Sequence, residues 1–305
     1  MAILVGTASW TDKTLLESGA FYPKEANNAE ARLRYYAEQF PIVEVDSTYY
    51  FPPTEKNAVL WVERTPVDFT FHIKAYSLLT QHPTRPNSLY KDLQGRVLTE
   101  HRDKNRLYIT HLDPGAADEV WKRFADALMP LHSAGKLGVV HFQFPEWFIP
   151  GTESRNYIVE CAERLPDFQI AVEFRNATWM NEKNVERTER FLQQHDIPIS
   201  CVDMPQGFRS SMPPVAQVTS KKLAYVRFHG RNIDEWDKPH ETATPRFAYL
   251  YSEAELAEWV PKIKHLAEQS KQVHVLMNNC YRDYAQRNAK ELSALLREAG
   301  LEVGR

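Results

Sequence analysis

About eight short apolar runs recur along this chain, each followed by a helix-like stretch, and that rhythm limits the folds open to it. The runs are Ile3–Ala8, Ile42–Thr48, Phe69–Lys74, Leu137–Phe144, Gln169–Arg175, Pro198–Asp203, Leu223–His229 and Val273–Asn278. They are short and rich in β-branched and aromatic residues, which predicts strands rather than helix fragments. Between them, Asn28–Gln39, Asp118–Leu131 and Glu182–His195 carry helical spacing. Ser252 and Glu255 form a capping box ahead of Leu256, Trp259 and Ile263, and Pro261 either kinks that helix or marks its true start. Asp283 is the expected cap of a last helix that ends at Gly300. Strand then helix, repeated, requires parallel strands with helical crossovers. Eight such units in 305 residues predict an α/β fold, a (β/α)8 TIM barrel forming one domain over residues 1–305. The rival, a doubly wound open sheet, would open with a glycine-rich phosphate turn, whereas the first run here leads into Thr7-Ala8-Ser9-Trp10. Two connections exceed the usual length of roughly 2–6 residues. They run from Ala75 to Ala117 after the third strand and from Gly230 to Tyr251 after the seventh. Both should emerge at the C-terminal face, where barrel enzymes carry their sites.

Side chains alternate along a strand, and here the alternation is charged. Val43 and Val45 alternate with Glu44 and Asp46, Phe71 and Ile73 with His72 and Lys74, and Val140 and Phe142 with His141 and Gln143. Val172 and Phe174 alternate with Glu173 and Arg175, and Val226 and Phe228 with Arg227 and His229. If the apolar set faces the helices, the polar set points into the barrel, where Val, Ile and Leu are the rule. Charge in such a place is costly unless paired. Any one pair could be a satisfied core ion pair; five strands breaking the rule together point to a site. Thr7, Ser9, Asp203 and Asn278 are expected to extend the ring at other strand ends. Trp10, Trp147 and Trp179 follow strands and could wall a flat ligand, and His229-Gly230-Arg231 could bring backbone close to it.

These residues bear a resemblance. Gly6-Thr7-Ala8-Ser9-Trp10, Glu44-Val45-Asp46-Ser47-Thr48-Tyr49-Tyr50 and Phe71-His72-Ile73-Lys74 resemble the opening of the YecE-like family, domain of unknown function 72. Leu137-Gly138, Gln143-Phe144-Pro145, Glu173-Phe174-Arg175 with Trp179, Asp203, the Tyr225–Arg231 run and Asn278-Asn279 continue it. The resemblance implies a TIM barrel and supplies no reaction. Leu276-Met277 departs from the aromatic residue that similar chains carry before the paired asparagines, which bears on the shape of the eighth-strand pocket.

The first functional expectation is an enzyme acting on a small polar or anionic molecule such as a sugar, sugar phosphate or nucleotide-like compound. Glu173 is the candidate acid or base, Glu44 or Asp46 its counterpart, and His229 a proton shuttle. Lys74, Arg175 and Arg227 would hold negative charge, with Thr7, Ser9, Trp10, Gln143, Trp179, Asp203, Arg231 and Asn278 contacting the ligand. The second is a metal-dependent phosphoester hydrolase on Glu44, Asp46, Glu173 and histidines. Cations nearly balance anions in the ring, so the charges call for no metal, and no metal ligand is assigned; the cofactor stays open. The third is a non-catalytic binder of ligand or single-stranded nucleic acid, with Arg85, Arg102 and Arg106 on phosphates. With 37 basic against 40 acidic residues there is no broad basic surface, and nucleic acid is the less favoured partner. Three dispersed cysteines, no signal-like start and no long apolar run predict reduced thiols, a cytoplasmic location and no membrane partner. The oligomeric state stays open.

Overall fold

The computed structural model describes residues 3–239 and 244–304. Its strands are β1 (Ile3–Thr7), β2 (Ile42–Val45), β3 (Thr70–Lys74), β4 (Leu137–Gln143), β5 (Ile170–Glu173), β6 (Ser200–Asp203), β7 (Leu223–Phe228) and β8 (Gln272–Met277). All the pairings are parallel, in the order β5-β4-β3-β2-β1-β8-β7-β6. A Val172–Ile199 bridge joins β5 to the start of β6, and Val172 N donates to Pro198 O across 2.9 Å, so the sheet closes on itself. The expected eight-stranded (β/α)8 barrel is the fold.

The helices are α1 (Lys13–Ser18), α2 (Ala29–Gln39), α3 (Glu55–Glu63), α4 (Pro114–Ser133), α5 (Thr152–Arg164) and α6 (Val185–Gln194), followed by α7 (Ile233–Trp236), α8 (Glu253–Ala257), α9 (Val260–Gln269) and α10 (Tyr284–Glu298). Helix α4 starts earlier than its hydrophobic spacing suggested, because Asp113 caps Ala116 N and Pro114 opens the first turn. The Ser252–Glu255 capping box forms, and Pro261 opens α9 instead of kinking one long helix. Asp283 stands at the N-cap of α10 without a side-chain cap bond; Gly300 follows the helix at φ +78. None of the helices among the described residues is long and apolar enough to cross a membrane.

Two apolar layers follow from the strand alternation. Val43, Ile73, Phe142, Val172, Phe174, Val226 and Phe228 pack outward in the large core shared with the helices. Ile42, Val139, Ala171, Leu223, Tyr225 and Leu276 fill the lower barrel interior. Above them the interior turns polar. Strand β2 stops at Val45, three residues short of the expected end, and Asp46–Tyr49 forms a 3-10 turn that lifts Asp46 to the barrel mouth. The long third connection is a series of 3-10 turns pinned by bridges Thr84–Leu107 and Val97–Leu112. The seventh holds α7 and a turn at Thr244–Phe247.

Candidate functional site

The inward positions of five strands converge as the alternation demands. Glu44, His72, His141, Glu173 and Arg227 are fully buried. Arg227 bridges two carboxylates: Nη2 donates to Glu44 Oε1 at 2.6 Å and Nη1 to Glu173 Oε2 at 2.7 Å. Tyr225 donates its hydroxyl to Glu44 Oε2 at 2.5 Å. The His141 ring lies between the same carboxylates, 3.3 Å from Glu44 and 3.5 Å from Glu173. Arg175 Nε donates to Glu173 Oε1 at 2.7 Å, and its Nη2 to Gln143 Oε1 at 3.2 Å. Asn278 Nδ2 lies 2.8 Å from His229 Nδ1, and His229 Nε2 lies 3.2 Å from Glu173 Oε1. Arg175 Nη2, which can only donate, lies 3.3 Å from the same Nε2.

Burial pushes the Glu44 carboxyl up, but Arg227, His141 and Lys74 outweigh it and hold it well below the usual range. Burial likewise opposes ionisation of Glu173; Arg175, Arg227 and His229 overcome it. Burial drives His229 down to about 3, with the Arg175 charge adding to the effect, so it is neutral near pH 7. Deeper still, His72 Nε2 and His274 Nδ1 share a 2.8 Å hydrogen bond across the barrel. The carboxylates and guanidiniums of this lattice are paired with one another, while both His141 ring nitrogens, Arg227 Nε, His72 Nδ1 and His274 Nε2 make no hydrogen bond within it.

The opening lies above it. A cavity of ≈ 540 Å³ has Lys74, Gln143, Arg175 and Asn278 at its base, Asp46 and Tyr49 on one wall, and His82, Trp147, Trp236 and Phe247 around its mouth. Strand ends place the base; the 3-10 turn after β2 places the wall; the long third and seventh connections supply much of the mouth. Burial raises Asp46 to about 6, partly offset by Lys74. Burial lowers Lys74 to about 8, and the Arg227 charge adds to that. Neither group has an ion-pair partner within 4.0 Å among the described residues. The Lys74 Nζ stands 5.1 Å from the Tyr49 ring centre, and the Arg175 guanidinium 5.7 Å from that of Trp236. A carboxyl raised to about 6, an ammonium lowered to about 8 and a clamped guanidinium therefore face one space. Together they can bind negative charge and exchange a proton.

The structure redistributes the sequence-predicted residues. Asp46, Lys74, Gln143, Arg175 and Asn278 line the cavity. Glu44, Glu173, Arg227 and His229 form the lattice beneath it. The remaining positions depart from expectation. Thr7 faces the helix layer, its Oγ1 2.9 Å from the Tyr36 hydroxyl, because β1 puts Leu4 inward and Val5 and Thr7 outward. Ser9 accepts from Thr11 N at 3.2 Å and does not line the cavity. Trp10 packs edge-on to Trp61, ring centres 6.1 Å apart. Trp179 stacks on Phe174 at 4.1 Å and donates to Phe148 O. Asp203 turns outward and accepts from Trp259 Nε1, the Tyr251 hydroxyl and the Arg231 fork. Arg231 is thereby tied to Asp203, and also to Glu258 at 2.8 Å. Gly230 N donates to the Tyr251 hydroxyl at 2.8 Å, so this turn serves the fold. Arg85 and Arg106 line a separate recess with Tyr49 and Tyr50, and Arg102 lies in another.

Sequence reasoning missed Tyr49, His82, Trp236 and Phe247 as cavity residues. Tyr49 had a signal, standing three residues past Asp46 in one turn. The others sit in long connections whose return paths no periodicity reveals.

The family whose profile matches residues 4–304 is described as "Protein of unknown function DUF72". The UPF0759 protein YunF of Bacillus subtilis (strain 168) is 31% identical over 297 residues, 96% of this chain and 94% of that protein. A crystal structure of a DUF72 family protein from Enterococcus faecalis V583 superposes with TM-score 0.78 at 25% identity, covering 97% of this chain and 95% of that one. Another, from Thermotoga maritima MSB8, gives TM-score 0.75 at 28% identity, covering 97% and 100%.

Proposed function

The chain belongs to the DUF72 family of proteins of unknown function, and from that premise we propose that it is an enzyme acting on a small anionic, polar molecule at the C-terminal mouth of its barrel. One observation carries this reading: Asp46 and Lys74 open into the same cavity, uncommitted to any ion pair, directly above a lattice whose charges are already matched. Uncommitted charge of both signs suits a ligand that brings its own charge and a transferable proton. In this reading Asp46 is the general acid or base, since a carboxyl poised near 6 can take or give a proton near neutrality. Lys74 and Arg175 hold the anionic group, and Gln143 and Asn278 orient it. Glu173 is a positioning residue: it clamps Arg175, and its depressed pKa makes it a poor base. A metal-dependent hydrolase would need Glu44 and Glu173 on an ion, but the Arg227 guanidinium bridges the two.

Titration with sulfate, a dianion whose charge is constant near neutrality, tests the site, alongside a turnover screen over phosphorylated sugars. Saturable sulfate binding that falls at least tenfold in Lys74→Met supports the reading. Turnover lost in Asp46→Asn with sulfate affinity retained assigns the proton-transfer role. Sulfate bound equally well by Lys74→Met and Arg175→Gln sinks the proposal. One observation favours a second reading. Arg85 and Arg106 line a recess of ≈ 330 Å³ that shares Tyr49 and Tyr50 with the cavity, a path suited to single-stranded nucleic acid. Oligonucleotide titration at two salt concentrations tests it; salt-independent or absent binding removes it.

A further inference from the structure

An apolar recess lies beside the charged cavity and shares Trp147 with it. It measures ≈ 720 Å³ and runs between the third connection and helices α4 and α5. Leu98, Ile109, Leu112, Trp121 and Tyr157 make its apolar lining. Each charged side chain on its border is engaged: Arg164 donates to Asp118 at 2.8 Å and to Glu160 at 2.7 Å. It therefore has little use for a charged ligand and much for an apolar one. Trp147 is the hinge between the two spaces. It lines both, it is 54% exposed, and its ring stands edge-on to His82, 6.0 Å between centres. Its indole is thus the one side chain that the charged cavity and the apolar groove share among the described residues lining them.

From this adjacency we infer that the substrate is a soluble amphiphile with two parts: an anionic head held in the cavity and an apolar tail laid over Trp147 into the groove. This rests on the reading of the cavity as an anion site and names the other half of the molecule that fills it. The two recesses differ in kind, one with uncommitted charge and one with apolar walls, and a molecule with both characters satisfies both. A wholly polar ligand would leave the groove hydrated, and a wholly apolar one would leave the Lys74 ammonium facing it.

The test uses the full chain and a series of probes below their micelle concentrations: sulfate, n-butyl sulfate and n-octyl sulfate, titrated by calorimetry. The expected result is tighter binding with chain length, by roughly two- to fourfold per methylene, the upper figure being what complete burial gives. Ala117→Phe puts a ring into the groove from a partly exposed position on α4. It should abolish the chain-length dependence and leave sulfate affinity unchanged. Trp147→Ala, at an exposed position, should weaken octyl sulfate by about tenfold or more and provides the same test should the phenylalanine disturb folding. Sulfate binding with no gain from chain length overturns the two-part substrate alone. Octyl sulfate bound, chain-dependent and lost in Ala117→Phe, with no sulfate binding, upholds the groove and overturns the anion site. Binding of none of the three overturns both.

Discussion

Arg227 Nη1 donates to Glu173 Oε2 across 2.7 Å in a barrel interior where neither side chain is exposed. The other arm of the same guanidinium reaches Glu44 at 2.6 Å. Removing its charge would leave two buried carboxylates without the guanidinium that bridges them. Arg227→Met should therefore destabilise the chain by about 3–5 kcal/mol, the range for breaking a buried ion pair from one side. Urea denaturation measures it. A loss below about 1 kcal/mol would mean that water or His141 already neutralises the pair.

The same lattice sets the response to acid. Glu44 and Glu173 are held below their unfolded values, so their stabilisation is full above pH about 5 and is lost as pH falls toward the folded values. His229 and His274 are pushed down to about 3 by burial. The unfolded chain binds their protons between about 6.5 and 3, so they too lose stability as pH falls. Asp46, raised to about 6, acts oppositely between about 4 and 6. His72 and His82, also lowered by burial, act with these four, Glu189 acts with Asp46, and the urea midpoint should drop between pH 7 and pH 4. A midpoint that holds or rises contradicts the burial described for these side chains.

Gly6 and Gly138 are glycines for lack of room. A Cβ at Gly6 would stand 2.0 Å from Ile42 O, which is backbone of the neighbouring strand. One at Gly138 would stand 2.5 Å from the His72 ring, on the side chain that bonds His274. Both alanine variants should destabilise by about 1–3 kcal/mol or more through overpacking, with Gly6→Ala the worse because backbone cannot rotate aside. Thermal melts of the two variants rank them; the reverse order would show that β1 can shift more easily than His72.

Much of this interior was legible in the sequence, and the reason is physical. A strand has a period of two, so Glu44, His72, His141, Glu173 and Arg227 could be assigned to one face from letters alone. The period fails where a strand ends. Asp46 seemed to continue the inward face of β2, yet it belongs to a 3-10 turn, and that is why it reaches the cavity when Glu44 does not. Thr7 and Asp203 failed for a different reason: only their polarity and their place at strand ends put them in the ring, and a polar residue at a strand end can face the helix layer as readily as the interior. Trp236 and Phe247 come from a connection whose course depends on tertiary packing, which spacing does not encode.

Asp203 gives that misassignment a measurable consequence. It accepts from Trp259, Tyr251 and Arg231 together and so fastens the end of β6 to the segment carrying α8 and α9. Asp203→Asn keeps the shape but leaves one Arg231 bond unmade. It should cost roughly 1–3 kcal/mol and leave sulfate affinity unchanged. A variant that stays fully stable and loses sulfate binding would return Asp203 to the ligand site.

The cavity itself should report two titrations through a probe that does not titrate. Sulfate keeps its charge near neutrality, so any pH dependence belongs to the protein. Below about pH 6 Asp46 is neutral and Lys74 is charged, the combination most favourable to an anion. As pH rises through about 6, Asp46 gains negative charge in the same cavity and affinity should fall. As pH rises through about 8, Lys74 loses its charge and affinity should fall again. The profile therefore descends in two steps. Asp46→Asn should erase the first step and tighten binding at pH 7, while Lys74→Met should erase the second and weaken binding at pH 6 by about tenfold, the loss of one charge-assisted contact. A single step that survives both substitutions would place the anion elsewhere, since no other arrangement of these two groups predicts inflections that disappear one variant at a time.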